Sequence, residues 1–180
     1  MIIYRLAKAA EAGEMAELQF CWESSEDFEC GVILTATDEF VSYLSYDRNA
    51  FFEHVRIALS EDLVRADFKT AYIAMLESER KREGEILGDQ CRGYGNTFLS
   101  VAQASGAKGS VIDVMPAVGE SVTGIVLTAD DSGVLLATYF DDGPRDGEVA
   151  LDWADVRAID VEGPLLERIA GRLAAQARGS

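Results

Sequence analysis

The sequence predicts an α+β protein in which one small unit occurs twice. Three observations carry that expectation. First, Gly31-Val-Ile-Leu-Thr-Ala-Thr-Asp38 returns as Gly124-Ile-Val-Leu-Thr-Ala-Asp-Asp131, 93 positions later. Second, the same offset, without a gap, pairs Val41 with Val134, Tyr46 with Tyr139, Asp62 with Asp155 and Asp67 with Asp160. Backwards it pairs Leu6 with Leu99, Ala9 with Ala102 and Gly13 with Gly106, although between Glu17 and Cys30 the identity vanishes. Third, short apolar runs alternate with polar turns in each half, and each half begins and ends on a helical pattern.

The elements follow in order. A short apolar helix spans Ile3 to Ala12 in the first copy and Thr97 to Ser105 in the second. Gly13 and Gly106 stand where a left-handed helix cap is expected. A first strand covers Glu17 to Trp22, or Ser110 to Met115. Two further strands, Phe28 to Ala36 and Phe40 to Tyr46, flank a polar turn at Thr37-Asp38-Glu39. Their counterparts are Ser121 to Thr128 and Val134 to Phe140, around Asp130-Asp131-Ser132-Gly133. Asp and Gly suit such tips because strand residues disfavour their backbone conformations. A fourth strand ends near Leu59 or Leu151, and a tight turn, Ser60-Glu61-Asp62 or Asp152 to Asp155, enters a fifth. That strand is Leu63 to Phe68, or Val156 to Val161. Thr70 to Arg82 and Pro164 to Arg178 close the copies as helices, the second with a Leu165, Leu166, Ile169, Leu173 and Ala177 stripe. The expected organisation is repeat one at 1–83, a glycine-rich linker at 84–95 and repeat two at 96–180.

Composition narrows the function. The 180 residues allow one medium domain or two small ones, and 48% hydrophobic content is enough for a core. No apolar run reaches the roughly 18 residues of a membrane span, and Met1 to Leu6 lacks the long apolar region of a signal peptide. A cytoplasmic protein is expected. Net charge is −16, which repels phosphate backbones and favours basic partners. Arg80-Lys81-Arg82 is flanked by Glu77, Glu79, Glu83 and Glu85 and reads as a solvated helix end. Three cysteines, Cys21, Cys30 and Cys91, fit a reducing compartment better than a disulfide framework.

The order of one helix and five short strands, with a tight turn between the last two, resembles the Sm/LSm-like family of small β-barrels, which shares its SH3-like architecture with many others. Gly124 to Asp130 resembles the family's first motif, with Thr37 at the aspartate position of the first copy. Leu151-Asp-Trp-Ala-Asp-Val-Arg-Ala-Ile-Asp160 resembles its last two strands. The resemblance implies two tandem Sm-like/SH3-like small β-barrels, each with an N-terminal helix, five strands and a closing helix. It also implies edge-strand pairing into assemblies. The base-contacting asparagine of RNA-binding members is replaced by Val41 and Val134, and the Arg-Gly or Lys-Gly signature is missing.

Catalytic groups are not expected. The only histidine, His54, lies in a strand pattern far from the cysteines, and there is neither a CxxC nor a Gly-x-Ser-x-Gly elbow. The acidic run Asp141 to Glu148 fails the calcium-loop spacing and reads as a hairpin loop. Asp130-Asp131 reads the same way, and the repeated Asp62/Asp155 and Asp67/Asp160 read as caps of backbone N–H groups. Gly106 to Ser110 lacks Walker A order, and Gly93-Tyr94-Gly95 is a turn signal. Phe20, Trp22 and Phe28 are expected to face the core rather than form a base-stacking platform. The expected function is a non-enzymatic protein-interaction or assembly module, self-associating or bound to a protein partner, with no cofactor, metal or membrane. The alternatives are an RNA-binding Sm-like regulator, or an acidic immunity or inhibitor-type protein masking a basic partner.

Overall fold

The computed structural model describes residues 1–22, 28–83, 95–139 and 145–179, with the side chains of 81–83 and 176–179 left out. The chain divides into two compact units, Met1–Arg92 and Gly93–Ser180. Apart from Gly95, the expected linker 84–95 lies outside the described residues.

In unit 1, α1 (Ile2–Ala12) is followed by β1 (Met15–Phe20), β2 (Glu29–Ala36), β3 (Phe40–Tyr46) and β4 (Phe52–Leu59). A single 3-10 turn at Ser60–Asp62 then leads into β5 (Leu63–Phe68), and α2 (Ala71–Glu83) closes the unit. Gly13, at φ 63°, ends α1 in the left-handed conformation, so β1 starts two residues earlier than the sequence pattern suggests. Thr70 Oγ1 accepts the Ile73 N–H at 3.1 Å and caps α2. The strand order is β5-β1-β2-β3-β4, antiparallel throughout. α1 lays Leu6 and Ala9 on this sheet, while α2 contributes Ile73 and Leu76; the core also holds Leu18, Phe20, Ile33, Tyr43 and Ile57. Arg5 fastens the end of α1: it pairs with Glu14 and places its guanidinium 4.0 Å above the Phe68 ring.

Unit 2 has the same order of elements: α3 (Phe98–Lys108), β6 (Val111–Pro116), β7 (Val122–Ala129), β8 (Gly133–Tyr139), β9 (Arg145–Asp152), a 3-10 turn at Trp153–Asp155, β10 (Val156–Val161) and α4 (Pro164–Gly179). Its strands run β10-β6-β7-β8-β9. Thr97 and Ser100 form a reciprocal capping box at the start of α3.

The end of α3 corrects the expectation. Gly106 is not the cap: the helix continues three residues to Gly109, whose φ is 64°. Gly106 lies inside the helix because a Cβ there would stand 3.3 Å from Val126 Cγ1; the helix rests its backbone on β7 at that point. The match between units therefore has two registers. From β2 onwards the 93-residue offset holds, as with Gly31 opposite Ser45 and Gly124 opposite Thr138. For the first helix and strand the structural counterpart of Gly13 is Gly109, and Ala16, opposite Gly31, corresponds to Ile112, opposite Gly124. The difference of three residues falls between the first and second strands.

The ladders break at corresponding places. Register shifts occur at Ile33/Thr35 and Val126/Thr128, at Ser45/Tyr46 and Thr138/Tyr139, and at Gln19/Phe20 facing Arg65/Leu63 and Val156/Ala158 facing Pro116/Met115. Bulges of this kind bend strands and increase twist. The expected closed barrels are only partly met: the fold is α+β with antiparallel sheets, but neither unit pairs its fourth strand with its fifth among the described residues. The fifth strand joins the first instead, so the 3-10 turn carries the chain from one side of the unit's sheet to the other. No helix among the described residues is long and apolar enough to cross a membrane.

Candidate functional site

The residues singled out in the sequence take structural positions. Thr37 Oγ1 accepts the Phe40 N–H at 3.0 Å, and Asp130 Oδ1 accepts the N–H and hydroxyl of Ser132 at 2.8 and 2.6 Å. Both side chains shape the turn between the second and third strands. These bonds hold the Asp130 carboxyl below its usual range. The 3-10 turn grips the same hairpin in each unit. Ser60 donates its N–H to Glu39 and its hydroxyl to the Thr37 carbonyl; Trp153 donates its N–H to Ser132 and its indole N–H to the Asp130 carbonyl.

The repeated aspartates share a contact beyond the expected side-chain caps. The contact that recurs is made by the main chain: the Asp62 carbonyl accepts the Cys21 N–H, and the Asp155 carbonyl accepts the Ala117 N–H. The Asp62 carboxylate also accepts the Cys21 thiol at 3.3 Å. Asp67 and Asp160 face Glu17 and Asp113 across the fifth and first strands, and Asp67 pairs with Arg65 at 2.7 Å. His54 is half-buried on β4 opposite Ser45, and its place in unit 2 is taken by Gly147. Among the described residues, no three His, Cys, Asp or Glu side chains converge as metal ligands would. Cys91, Gly93, Tyr94 and residues 141–144 of the acidic loop lie outside the described residues, as do the side chains of Lys81 and Arg82. Arg145 and Glu148, at the end of that loop, form an ion pair.

Val41 and Val134 are both core residues. Of the aromatic set, Phe20 is buried, with Trp22 stacked on it at 4.6 Å. Phe28 departs from expectation: it is 48% exposed, and its ring meets Tyr72 edge-on at 5.8 Å.

Phe28 marks a cleft of about 240 Å³ in unit 1, between the ends of β2 and β3 and the helix α2. Phe28, Tyr46 and Tyr72 supply its aromatic surface, and Glu29, Asp47 and Glu53 its carboxylates. Arg48 and Cys30 also line it. Below it, Glu29 accepts the Tyr43 hydroxyl at 2.6 Å and forms an ion pair with Arg56. Asp47 organises the adjoining turn by accepting the N–H groups of Asn49 and Phe51. Burial pushes the Cys30 thiol up to about 12, helped by Glu17 and Glu29, so it stays protonated at neutral pH and is no nucleophile. Burial also raises the Tyr72 phenol, with Asp47 and Glu17 adding and Arg48 opposing.

This cleft was not visible in the sequence. Phe28 and Tyr72 are distant along the chain, and neither belongs to a motif. The one signal was contrast: Ser121, Val122 and Leu165 stand in unit 2 where Phe28, Glu29 and Tyr72 stand in unit 1. No protein-family model, curated protein or solved structure matches this chain.

Proposed function

We propose that this chain is a non-enzymatic assembly module, made by duplication of one Sm-like unit, that binds other protein chains through strand edges. The duplication is supported by the common order of elements, the three bulges at corresponding places and the shared grip of the 3-10 turn on the hairpin. The strand order, the helix before the first strand and the one-turn link between the fourth and fifth strands support the Sm-like reading.

The observation that carries the function is one-sided pairing. Among the described strands, β5 bonds only to β1, and β9 only to β8. β9 alternates between exposed and half-buried residues along most of its length, whereas Val55 to Ala58 of β4 are buried. A strand with a free row of N–H and C=O groups is a template for another strand. Arg145, Asp146 and Glu148 on β9 restrict that pairing to a strand whose charges answer theirs. The nucleic-acid alternative is weakened by the burial of Val41 and Val134 and by the charge of −16.

Size-exclusion chromatography with light scattering tests the reading. The expected mass is a multiple of 19.6 kDa. Val149→Pro and Ala150→Pro, made separately, refine the test, because neighbouring strand residues direct their N–H groups to opposite sides. The substitution that removes the outward N–H should reduce the mass while preserving the circular dichroism spectrum. A chain that stays monomeric at every concentration, and captures no strand-forming partner, would overturn the proposal.

A further inference from the structure

We propose that the cleft of unit 1 receives an arginine side chain presented by a protein partner. This rests on the protein-interaction reading but not on strand pairing. The volume, about 240 Å³, lies below the roughly 300 to 1,000 Å³ of drug-sized pockets and suits a single side chain.

The lining has the chemistry a guanidinium selects. A cation is attracted to aromatic faces, and Phe28 and Tyr72 provide two rings, with the buried Tyr46 ring beside them. Phe28, at 48% exposure, keeps surface for an incoming stem to cover even though it touches Tyr72. Tyr46 already receives one guanidinium: Arg80 of α2 stands 5.9 Å from its centroid. Charge points the same way. Glu29, Asp47 and Glu53 line the cleft and Glu17 acts on Cys30 and Tyr72 from close by, four carboxylates against the three guanidiniums of Arg48 in the lining, Arg56 beneath Glu29 and Arg80 over Tyr46. One negative charge is left over. Burial is the larger cause of the raised Cys30 and Tyr72 groups; Glu17 and Glu29 add to the first, and Cys30, Asp47 and Glu17 add to the second against Arg48. The whole-chain charge of −16 draws basic partners towards the surface before contact.

Arginine fits better than a simple ammonium. Its planar head stacks on rings and is weakly hydrated, so it is more readily desolvated in a small aromatic cleft. Unit 2 supplies an internal control, because Ser121, Val122 and Leu165 replace the ring, the carboxylate and the second ring.

The experiment is a nuclear magnetic resonance titration of the full chain with N-acetyl-arginine methylamide. The comparison probes are the citrulline analogue, a neutral isostere, and the lysine analogue. Saturable shifts are expected at the amides of Phe28 to Cys30, Ser45 to Arg48 and Glu53, with binding about tenfold weaker for citrulline, the equivalent of one lost cation–π or charge contact. The double variant Tyr72→Leu/Glu53→Gln should abolish the shifts. Equal binding of arginine and citrulline, a preference for lysine, or shifts that survive the double variant would each overturn the assignment. Neither substituted residue belongs to β5 or β9, so light-scattering mass and the titration can fail independently.

Discussion

Glu29, Tyr43 and Arg56 of unit 1 occupy the ladder positions that Val122, Leu136 and Val149 occupy in unit 2. Tyr43 faces Arg56 across β3 and β4 as Leu136 faces Val149 across β8 and β9, and Glu29 faces Leu18 as Val122 faces Val114. One backbone arrangement thus holds either a hydrogen-bonded ionic set or three aliphatic side chains. The ionic set is not what the fold requires. A buried pair of charges recovers its desolvation cost only when its partners are well placed, and aliphatic replacements are often as stable or more so. The difference between the units therefore lies in what the polar set supports, the floor of the cleft.

The comparison can be broken most directly at Glu29. Arg56 is only 8% exposed in its side chain, so Glu29→Ala leaves a buried guanidinium without its carboxylate. The expected loss is about 3–5 kcal/mol in urea denaturation. Val122→Ala, the same position in unit 2, should cost only about 1 kcal/mol because only apolar area is lost. The triple exchange Glu29→Val/Tyr43→Leu/Arg56→Val should recover most of the loss of Glu29→Ala. If it stays as unstable as the single variant, the two sets are not interchangeable.

The shared glycines come next. A Cβ on Gly31 would stand 2.5 Å from Tyr43 Cδ2, and one on Gly124 would stand 2.5 Å from the Ala137 carbonyl oxygen. Gly31→Ala and Gly124→Ala should each lower stability by about 1–3 kcal/mol through overpacking. Replacing Tyr43 by Leu should soften the first penalty in part, because the Leu44 carbonyl oxygen would still stand 2.9 Å from the new Cβ, and should leave the second unchanged, because that clash is with the Ala137 backbone. Thermal melts of the single and double variants measure this.

The smallest effect concerns acid. The Asp130 carboxyl is held below its usual value by the Ser132 and Gly133 bonds, and Thr37, its counterpart, does not titrate. A depressed carboxyl stabilises the fold above its unfolded pKa and loses that contribution as pH falls through its folded value. Acidification below about pH 4, the ordinary aspartate range, should therefore shift the Ser132 and Gly133 amides more than in an Asp130→Thr variant, which copies Thr37. Amide shifts of the two proteins followed from neutral pH downwards give the test, and equal movement in both would remove the distinction.

Much of the fold was legible in the sequence because local chemistry set it. The Gly-x-x-Leu-Thr-Ala run marks the second strand in both halves, the polar tips end the hairpins, and Pro164 opens α4. The misreadings have non-local causes. Gly106 has the composition of a cap, but its role depends on Val126, a residue on another element. Because the ungapped offset happened to pair Gly13 with Gly106, it hid the three-residue change before the second strand. The bond that recurs at Asp62 and Asp155 comes from their carbonyls, which no side-chain pattern encodes. The cleft and the ionic set are assembled from β2, β3, β4 and α2, so no window along the chain contains them.

The grip of the 3-10 turn on its hairpin has an optical consequence. The chain contains two tryptophans, Trp22 in unit 1 and Trp153 in unit 2. Trp153 donates its indole N–H to Asp130 at 2.7 Å beside Phe98, whereas Trp22 is stacked on Phe20. Each half thus contains its own emitter in a distinct setting. Trp22→Phe and Trp153→Phe would give two single-colour versions of the molecule, each reporting the melting of one half. Whether the halves unfold as one transition or two then becomes a question that a fluorimeter can answer.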